Sequence, residues 1–356
     1  MFLNLFYFIL LSAVSFGVST PFFAYTAKNT YTKYTFSRDP WIYIWALSLI
    51  LTTATYFFTP DFNDTIANIS YTRILITFVL SAFIYMAHLF ETEKLEYLII
   101  AASSAFIAYL IPNDTLIFEG NLPLFTERLI IFCIIFFITF FAKVLNGMSA
   151  IFAIFMLTGL FGICLVSLIA GLPLAFGFVA ATLSGIWLGF IRYNWYPSEI
   201  ALNDGACTSA GFLLSNFFLF ASQEFAGPSM CILCTYLIAE TLLVLTRRYI
   251  LRIKEPDFYN NSAYFLSYTK DIDIDAILVA IYKIGAINII FAGFQIYAPN
   301  AFSLPVFSLV INLWLLNMMY NASEKTLSIK QTKNALVQDV KDGIQNIKNS
   351  LTKDKK

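Results

Sequence analysis

One short polar loop holds the residues of this chain that are best suited to chemistry. It lies between two long apolar runs and reads Tyr193-Asn194-Trp195-Tyr196-Pro197-Ser198-Glu199-Ile200-Ala201-Leu202-Asn203-Asp204-Gly205. The loop places one carboxylate, that of Asp204, beside an apolar run, where a membrane surface would lie. A carboxylate there can bind a divalent cation. It can equally be a solvated loop acid, or it can cap a helix that begins near Cys207.

The apolar runs beside this loop belong to a chain that is apolar throughout. Hydrophobic residues make up 59% of its 356 residues and charged residues 12%, against about 25% charged residues in soluble domains. Only a helix or a closed barrel satisfies the backbone within a bilayer, so a run of roughly 20 apolar residues predicts a membrane-spanning helix. About eleven such runs occur, at 2–25, 41–58, 74–90, 97–112, 129–143, 149–170, 173–191, 207–222, 229–246, 276–297 and 301–320. The sequence therefore predicts an all-α integral membrane protein whose residues 1–320 form one polytopic domain. Its net charge of zero gives no indication of a nucleic-acid partner.

The positions of lysine and arginine predict the orientation of the chain. With eleven spans, nineteen of the 22 lysines and arginines fall on one side of the membrane. They lie in the loops at 26–40, 91–96, 143–148, 192–206 and 247–275 and in the C-terminal tail. Under the positive-inside rule, the N-terminus is then outside and the C-terminus is cytoplasmic. The run 2–25 has no basic segment before it and no small-x-small cleavage motif, so we predict a retained helix rather than a signal peptide.

The loop around Asp204 resembles a motif of a known enzyme family. It is similar to P-A-K-I-F-M-G-D-x-G-S-x-x-L-G-F of the polyprenyl-phosphate N-acetylhexosamine-1-phosphate transferases, membrane enzymes that start peptidoglycan and other cell-envelope glycans. The positions that match in register are Pro197, Ile200, Asp204, Gly211 and Phe212, and Tyr193 and Asn194 precede them as they often do in the family. The resemblance implies the family's helical arrangement over roughly residues 20–320. It also implies a place in the cytoplasmic (inner) membrane of a bacterium.

The chemistry of this family sets an expectation for the site. Its members move a sugar phosphate from a UDP-N-acetylhexosamine to a polyprenyl phosphate, and Mg²⁺ held by carboxylates offsets the negative charges that meet there. The resemblance therefore implies Mg²⁺ as the cofactor of an active enzyme, with Asp204 as the catalytic residue and metal ligand. The implied partners are membrane lipid, a polyprenyl phosphate and a UDP-sugar. The oligomeric state is not indicated.

The family uses three further stretches, which fall here at 86–90, 143–150 and 247–263. The resemblance implies that all four stretches converge at the cytoplasmic face, but the three further ones are altered in this chain. The replacements are Ala87 and His88 for a pair of aspartates, Lys143, Asn146 and Ser149 for an asparagine and two aspartates, and Glu199 and Asn203 for a basic residue and a glycine. The family's histidine cluster is missing altogether, because His88 is the single histidine of the chain. Of the charged groups with which the family handles its metal, one survives, the carboxylate of Asp204.

These losses set the expected function. Removing even one preorganised charge-stabilising donor lowers a rate by about 10²–10³, and several are absent together. We therefore expect a divergent relative that is catalytically silent or strongly altered. The alternative is an active Mg²⁺-dependent phosphosugar transferase. A small-solute transporter is a second alternative, but it needs a polar track through the spans, and Lys283 is nearly the only ionisable residue within them.

Several polar residues on the predicted cytoplasmic loops are candidates for binding substrate. They are Lys143, Asn146, Asn194, Asn203, Arg247 and Arg248. Lys143 can offer charge to a phosphate, or it can anchor a helix at the lipid headgroups. A histidine at a helix end, such as His88, is typically an interfacial residue. The alternative is that it acts as a base. Lys283 either marks a buried site or reaches from its helix to the interface.

Residues 321–356 are predicted to form a separate cytoplasmic tail. Its apolar residues follow the spacing of one helix face: Val337, Val340, Ile344, Ile347 and Leu351. Lysines surround this face, which predicts a basic amphipathic helix lying on an anionic membrane surface. A short coiled coil with a second copy or a partner is the alternative.

Overall fold

The computed structural model describes ten stretches of the chain. They are 2–29, 39–58, 65–90, 93–111, 122–170, 174–222, 227–252, 259–269, 272–298 and 303–321. The tail at 321–356, apart from its first residue, lies outside the described residues, so its predicted amphipathic helix stays a prediction. Within the ten stretches the regular structure is helical, and none of the residues described there is in a β-strand.

Twelve α-helices follow one another through these stretches. They are α1 (Phe2–Asn29), α2 (Pro40–Phe58), α3 (Thr65–Leu89), α4 (Glu93–Leu110), α5 (Leu124–Phe141), α6 (Ile151–Ala170), α7 (Leu174–Asn194), α8 (Asp204–Ala221), α9 (Gly227–Leu251), α10 (Ala263–Thr269), α11 (Ile274–Gln295) and α12 (Ser303–Asn321). A six-residue 3₁₀ helix, Ala142–Gly147, continues α5 and is called the 3₁₀ turn below. A second 3₁₀ helix, Tyr259–Asn261, precedes α10.

Eight helical segments of the described chain are long and apolar enough to cross a membrane. They are Asn4–Lys28, Pro40–Phe57, Tyr71–Leu89, Leu124–Gly147, Ile151–Ala170, Gly227–Ile250, Ile274–Gln295 and Ser303–Asn321. The all-helical, multi-pass character predicted from composition is thus confirmed. The remaining predicted runs at 97–112, 173–191 and 207–222 correspond to α4, α7 and α8. Eleven crossings, and the sides on which the two termini lie, remain predictions.

The central helix of the bundle is α8, and its position explains its polar composition. Every residue of α8 after Asp204 is buried, and the helix packs against α3, α5, α6, α9 and the 3₁₀ turn. The Ser209 hydroxyl donates to the carbonyl of Ser81 at 2.6 Å and so joins α8 to α3. A helix that is enclosed by protein on all sides does not have to be apolar toward lipid. Hydropathy alone therefore gives a weak signal for a helix of this kind, although it belongs to the bundle.

Helices α1 and α7 approach each other closely through small residues of α7. A Cβ atom on Gly185 would lie 2.2 Å from the backbone oxygen of Ser12, and one on Gly189 would lie 2.2 Å from the hydroxyl of Ser19. The Ser12 hydroxyl donates to the carbonyl of Ala181 at 2.8 Å. Without a hydrophobic force between helices inside lipid, such close packing and interhelical hydrogen bonds hold helices together.

Four buried polar side chains join α12 to α9 and α11. Asn312 Nδ2 donates to Thr235 Oγ1 at 2.7 Å and to Asn288 Oδ1 at 3.2 Å. The Ser308 hydroxyl donates to the same Asn288 oxygen at 2.9 Å and lies 2.9 Å from Thr235 Oγ1. All four residues are at most 3% exposed. Interhelical hydrogen bonds of this kind fix the position of the last helix of the bundle.

Candidate functional site

Asp204 is the first residue of α8, and a side chain from the 3₁₀ turn holds its carboxylate. Asn146 Nδ2 donates to Asp204 Oδ1 at 2.7 Å and also to the carbonyl of Leu202 at 3.3 Å. These two residues come from different motif-like stretches, 58 positions apart in sequence. The predicted convergence of those two stretches is therefore confirmed. Asp204 is half-buried, and it lies in the first turn of α8, where a negative charge suits the helix dipole.

Asn203 is the residue that caps α8. Its Oδ1 accepts from the backbone N–H of Ala206 at 2.7 Å, so the cap is this asparagine rather than Asp204. Asn203 Nδ2 donates to Asp39 Oδ2 at 3.0 Å, and the hydroxyl of Tyr85 donates to the same oxygen. The other oxygen of Asp39 accepts from the N–H of Trp41 at 2.9 Å. Asp39 is only 4% exposed, so a buried carboxylate supports the start of α8.

Asn194 shapes the loop that leads to Asp204. Its Oδ1 accepts from the N–H of Ala150 at 2.8 Å, and its Nδ2 donates to the carbonyl of Ile200 at 2.7 Å. Ala150 has a φ of 67°, a left-handed backbone that an alanine seldom adopts, and the bond from Asn194 helps to hold it. Asn194 is 6% exposed, and both amide atoms are engaged with backbone. The structure thus places Asn194 and Asn203 in supporting positions, and substrate binding by either stays a prediction.

A third stretch reaches the 3₁₀ turn through Tyr264 of α10. The Tyr264 hydroxyl donates to the carbonyl of Val144 and accepts from the N–H of Gly147 at 3.0 Å. Burial raises the pKa of Tyr264 far above its ordinary value, so the hydroxyl keeps its proton for the first of these bonds. Glu240 of α9 in turn accepts from the N–H of Ala263, the first residue of α10. The last loop segment is therefore tied to the turn that carries Asn146.

The stretch at 86–90 also lies at the start of α8. A Cβ atom on Gly205 would lie 2.4 Å from Cγ of His88, so the imidazole ring is packed against that glycine. His88 Nδ1 lies 3.2 Å from Glu96 Oε2, and the two side chains are 31% and 9% exposed. Three motif-like stretches are thereby brought together around the first turn of α8, and the described part of the fourth contacts the 3₁₀ turn.

The basic candidates are placed in different surroundings. Lys143 in the 3₁₀ turn has its Nζ 4.7 Å from the ring centroid of Phe140 and 5.4 Å from that of Tyr97. Arg247 donates to the carbonyl of Asn261 at 3.0 Å, with its guanidinium over the ring of Tyr320. Arg248 is half-buried in the last turn of α9. Lys143 is thus the basic candidate closest in sequence and structure to Asn146, whereas Arg247 contacts the last loop and α12.

The surroundings of Lys283 and Glu240 differ from what the sequence predicted for ionisable residues inside the spans. Lys283 is exposed on α11, which removes the observation on which a buried lysine site rested. Glu240, in contrast, lies within the span Gly227–Ile250 and is fully buried. The statement that Lys283 is nearly the only ionisable residue of the spans was wrong, because Glu240 is a second one. Its contact with α10 gives this acid a place in the structure.

Among the described residues, the carboxylates near the start of α8 offer Mg²⁺ few free oxygens. Within the ten described stretches there is no group of three or more His, Cys, Asp or Glu side chains that could hold a metal ion. Both oxygens of Asp39 already accept hydrogen bonds, and one oxygen of Asp204 accepts from Asn146. Mg²⁺ demands near-octahedral oxygen ligands and is usually held by one or two carboxylates with substrate phosphates. The fit to this metal is therefore poor.

Sequence comparison relates the chain distantly to one class of membrane enzyme. No family model matches the sequence. A phospho-N-acetylmuramoyl-pentapeptide-transferase of Prochlorococcus marinus (strain MIT 9312) is 31% identical to it over 91 residues, which is 26% of this chain. The match spans about a quarter of that relative's length, 25%. It supports a distant relationship to that family, in agreement with the resemblance of the loop around Asp204.

Three residues of the site were not found from the sequence. They are Asp39, Glu96 and Tyr264. Asp39 is followed by Pro40, a signature of a helix start that is visible in the sequence. Its contact with Asn203 depends on how α2 packs near α8, for which the sequence gives no signal. Glu96 and Tyr264 likewise become site residues only through tertiary packing.

Proposed function

We propose that the chain is a divergent membrane-embedded relative of the UDP-N-acetylhexosamine:polyprenyl-phosphate sugar-1-phosphate transferases of cell-envelope glycan synthesis. In this proposal it lies in the inner membrane of a bacterium and binds a polyprenyl phosphate at the first turn of α8. It is catalytically silent or strongly altered in Mg²⁺-dependent transfer. The distant match to a phospho-N-acetylmuramoyl-pentapeptide-transferase supports the relationship.

The observation on which the proposal rests is the hydrogen bond from Asn146 to Asp204. Two stretches that resemble the family's motifs meet at this bond, which supports a conserved location for the site. One partner is an amide where the resemblance expects a carboxylate, which supports a change in its chemistry. An amide donates to Asp204 and occupies one of its oxygens, whereas a second carboxylate would share a cation with it.

A lysine beside this pair supports a phosphate as the remaining ligand. Lys143 stands three residues before Asn146 in the same 3₁₀ turn, and its ammonium lies over the rings of Phe140 and Tyr97. An ammonium at the interface attracts a lipid phosphate electrostatically. The positive charge of Lys143 then offsets part of the negative charge of the phosphate, as a metal ion does in an active relative.

A turnover assay tests the proposal directly. Purified protein in lipid nanodiscs is given polyprenyl phosphate, a UDP-N-acetylhexosamine and Mg²⁺, and release of UMP is measured. We expect no release above that of an Asp204→Ala control variant. Release that depends on Mg²⁺ and disappears in Asp204→Ala would instead establish the alternative, an active phosphosugar transferase. Omission of Mg²⁺ is the second control, since a metal-independent activity would show as release in its absence.

A further inference from the structure

His88 and Glu96 form a carboxylate–imidazole pair whose second ring nitrogen is available. Nδ1 of His88 lies 3.2 Å from Oε2 of Glu96. Glu96 is 7% exposed, whereas the ring of His88 is 31% exposed. Among the residues that the structure describes, Nε2 of His88 has no hydrogen-bond partner. A buried acid therefore holds one side of the ring, and the other side is accessible.

The pair stands at the start of α8 and not elsewhere on the surface. The ring is packed against Gly205, the residue that follows Asp204. Among the residues that the structure describes, the other charged groups within electrostatic reach of His88 are Asp204 and Lys143. The imidazole thus belongs to the same site as the Asn146–Asp204 bond. It occupies a position where the resemblance leads one to expect a carboxylate.

The geometry determines what this histidine can do. A carboxylate that accepts from Nδ1–H fixes the tautomer, so the lone pair of the ring is on Nε2. When Nε2 takes up a proton, the negative charge of the carboxylate offsets the positive charge of the ring. General bases are built in this way, and the efficiency of such a base is greatest when its pKa is near the working pH, as that of an imidazole is.

We propose that His88 and Glu96 form a metal-independent proton-transfer dyad, and that its substrate is a phosphate monoester bound at the first turn of α8. The O–H bond of the phosphate monoanion breaks, its proton forms an N–H bond at Nε2, and the oxygen keeps the electron pair. Glu96 keeps the hydrogen bond to Nδ1–H throughout. The identity of the phosphate as a polyprenyl phosphate rests on the proposed function, whereas the dyad itself does not.

The single histidine of the chain permits a direct test without any turnover. Protein labelled with nitrogen-15 histidine shows the two ring nitrogens of a single imidazole, because His88 is the only histidine of the chain. In the free protein at about pH 9, well above the ordinary imidazole pKa of about 6.5, we expect the Nδ1–H tautomer to exceed the Nε2–H tautomer about tenfold or more. Glu96→Gln should lower this ratio at least severalfold. The control is Glu199→Gln, the same change at an exposed glutamate of the loop before α8, and it should leave the ratio unchanged.

A second set of samples identifies the ligand. At about pH 7, addition of polyprenyl phosphate in nanodiscs should move the Nε2 resonance toward its protonated position, and inorganic phosphate at equal concentration should not. A shift with inorganic phosphate as well would support the dyad with a free phosphate as the ligand. The inference is overturned if the free protein holds the Nε2–H tautomer. It is also overturned if the protein binds the lipid and Nε2 does not respond. Lipid that does not bind, together with the expected tautomer, would count against the proposed function alone.

Discussion

Asn146 and Asp204 combine one replaced and one retained residue of the family's pattern. The resemblance expects an aspartate at Asn146, whereas Asp204 matches the family's own aspartate. The sequence located both residues and predicted that their stretches meet. It did not predict that the amide would donate to the carboxylate, since that depends on side-chain direction in the 3₁₀ turn. The sequence left a helix cap as one of the alternatives for Asp204, whereas the structure assigns the cap to Asn203.

Replacement of Asn146 by leucine should destabilise the protein. The change removes both hydrogen bonds of the amide and leaves Asp204 and the carbonyl of Leu202 without this donor. A hydrogen bond to a charged group contributes about 1.5–3 kcal/mol, and because both residues are only half-buried the expected loss is below that range, at about 1 kcal/mol. The free energy of unfolding in detergent measures it.

The matched comparison is Ser149→Ala, just beyond the same turn. The hydroxyl of Ser149 donates to that of Ser198 at 2.8 Å in an exposed position. Surface changes of this kind usually alter stability by less than about 0.5 kcal/mol. An Asn146→Leu protein as stable as Ser149→Ala would show that the bond to Asp204 does not hold the site together.

At the scale of secondary-structure elements, the long apolar helices could be predicted from the sequence. Which helix is enclosed by others, and where a short helix forms in a loop, depends on tertiary contacts. Hydropathy found the runs that became eleven of the twelve described helices, because a backbone within lipid has to satisfy its own hydrogen bonds and a long apolar run therefore predicts a helix. It did not predict α10, since seven residues in a polar loop form a helix there only through contacts with α9 and the 3₁₀ turn. Nor could it show that α8 is the buried centre of the bundle, which follows from packing on several sides.

The contact between α1 and α7 should be sensitive to a single methyl group. In Gly185→Ala the new Cβ would meet the backbone oxygen of Ser12 at 2.2 Å, so one of the two helices must move. Overpacking of this kind costs about 1–3 kcal/mol. Gly17→Ala in α1 is the control, since a Cβ there would find nothing within 4 Å. Equal unfolding free energies for the two variants would contradict the close approach of the helices.

The buried polar cluster that joins α12 to α9 and α11 should contribute to the stability of the protein. Asn312→Leu removes the donor to Thr235 and Asn288 and should lower stability by about 1 kcal/mol, in the range of about 0.6–1.7 kcal/mol found for hydrogen bonds between membrane helices. Asn317→Leu is the same substitution on the exposed face of α12 and should have no such effect. If the two variants unfold alike in a denaturant titration, the cluster does not fix α12.

At the scale of the whole molecule, the distribution of basic residues predicts orientation. With eleven spans, nineteen lysines and arginines fall on one side, which predicts a cytoplasmic C-terminus. Green fluorescent protein fused after Lys356 should therefore fluoresce in a bacterial host, and alkaline phosphatase fused at the same place should be inactive. An active phosphatase fusion would reverse the orientation and place the site around Asp204 outside the cell.

The measurement that tests the central claim most directly is the affinity of the whole protein for a polyprenyl phosphate. We expect binding in nanodiscs to weaken about tenfold or more in Lys143→Gln, since a hydrogen bond to a charged group contributes about 1.5–3 kcal/mol. Lys283→Gln, the same change at an exposed lysine of α11, should bind as tightly as the unaltered protein. Equal affinity of Lys143→Gln and Lys283→Gln, or no binding by the unaltered protein, would contradict a lipid-phosphate site at the start of α8.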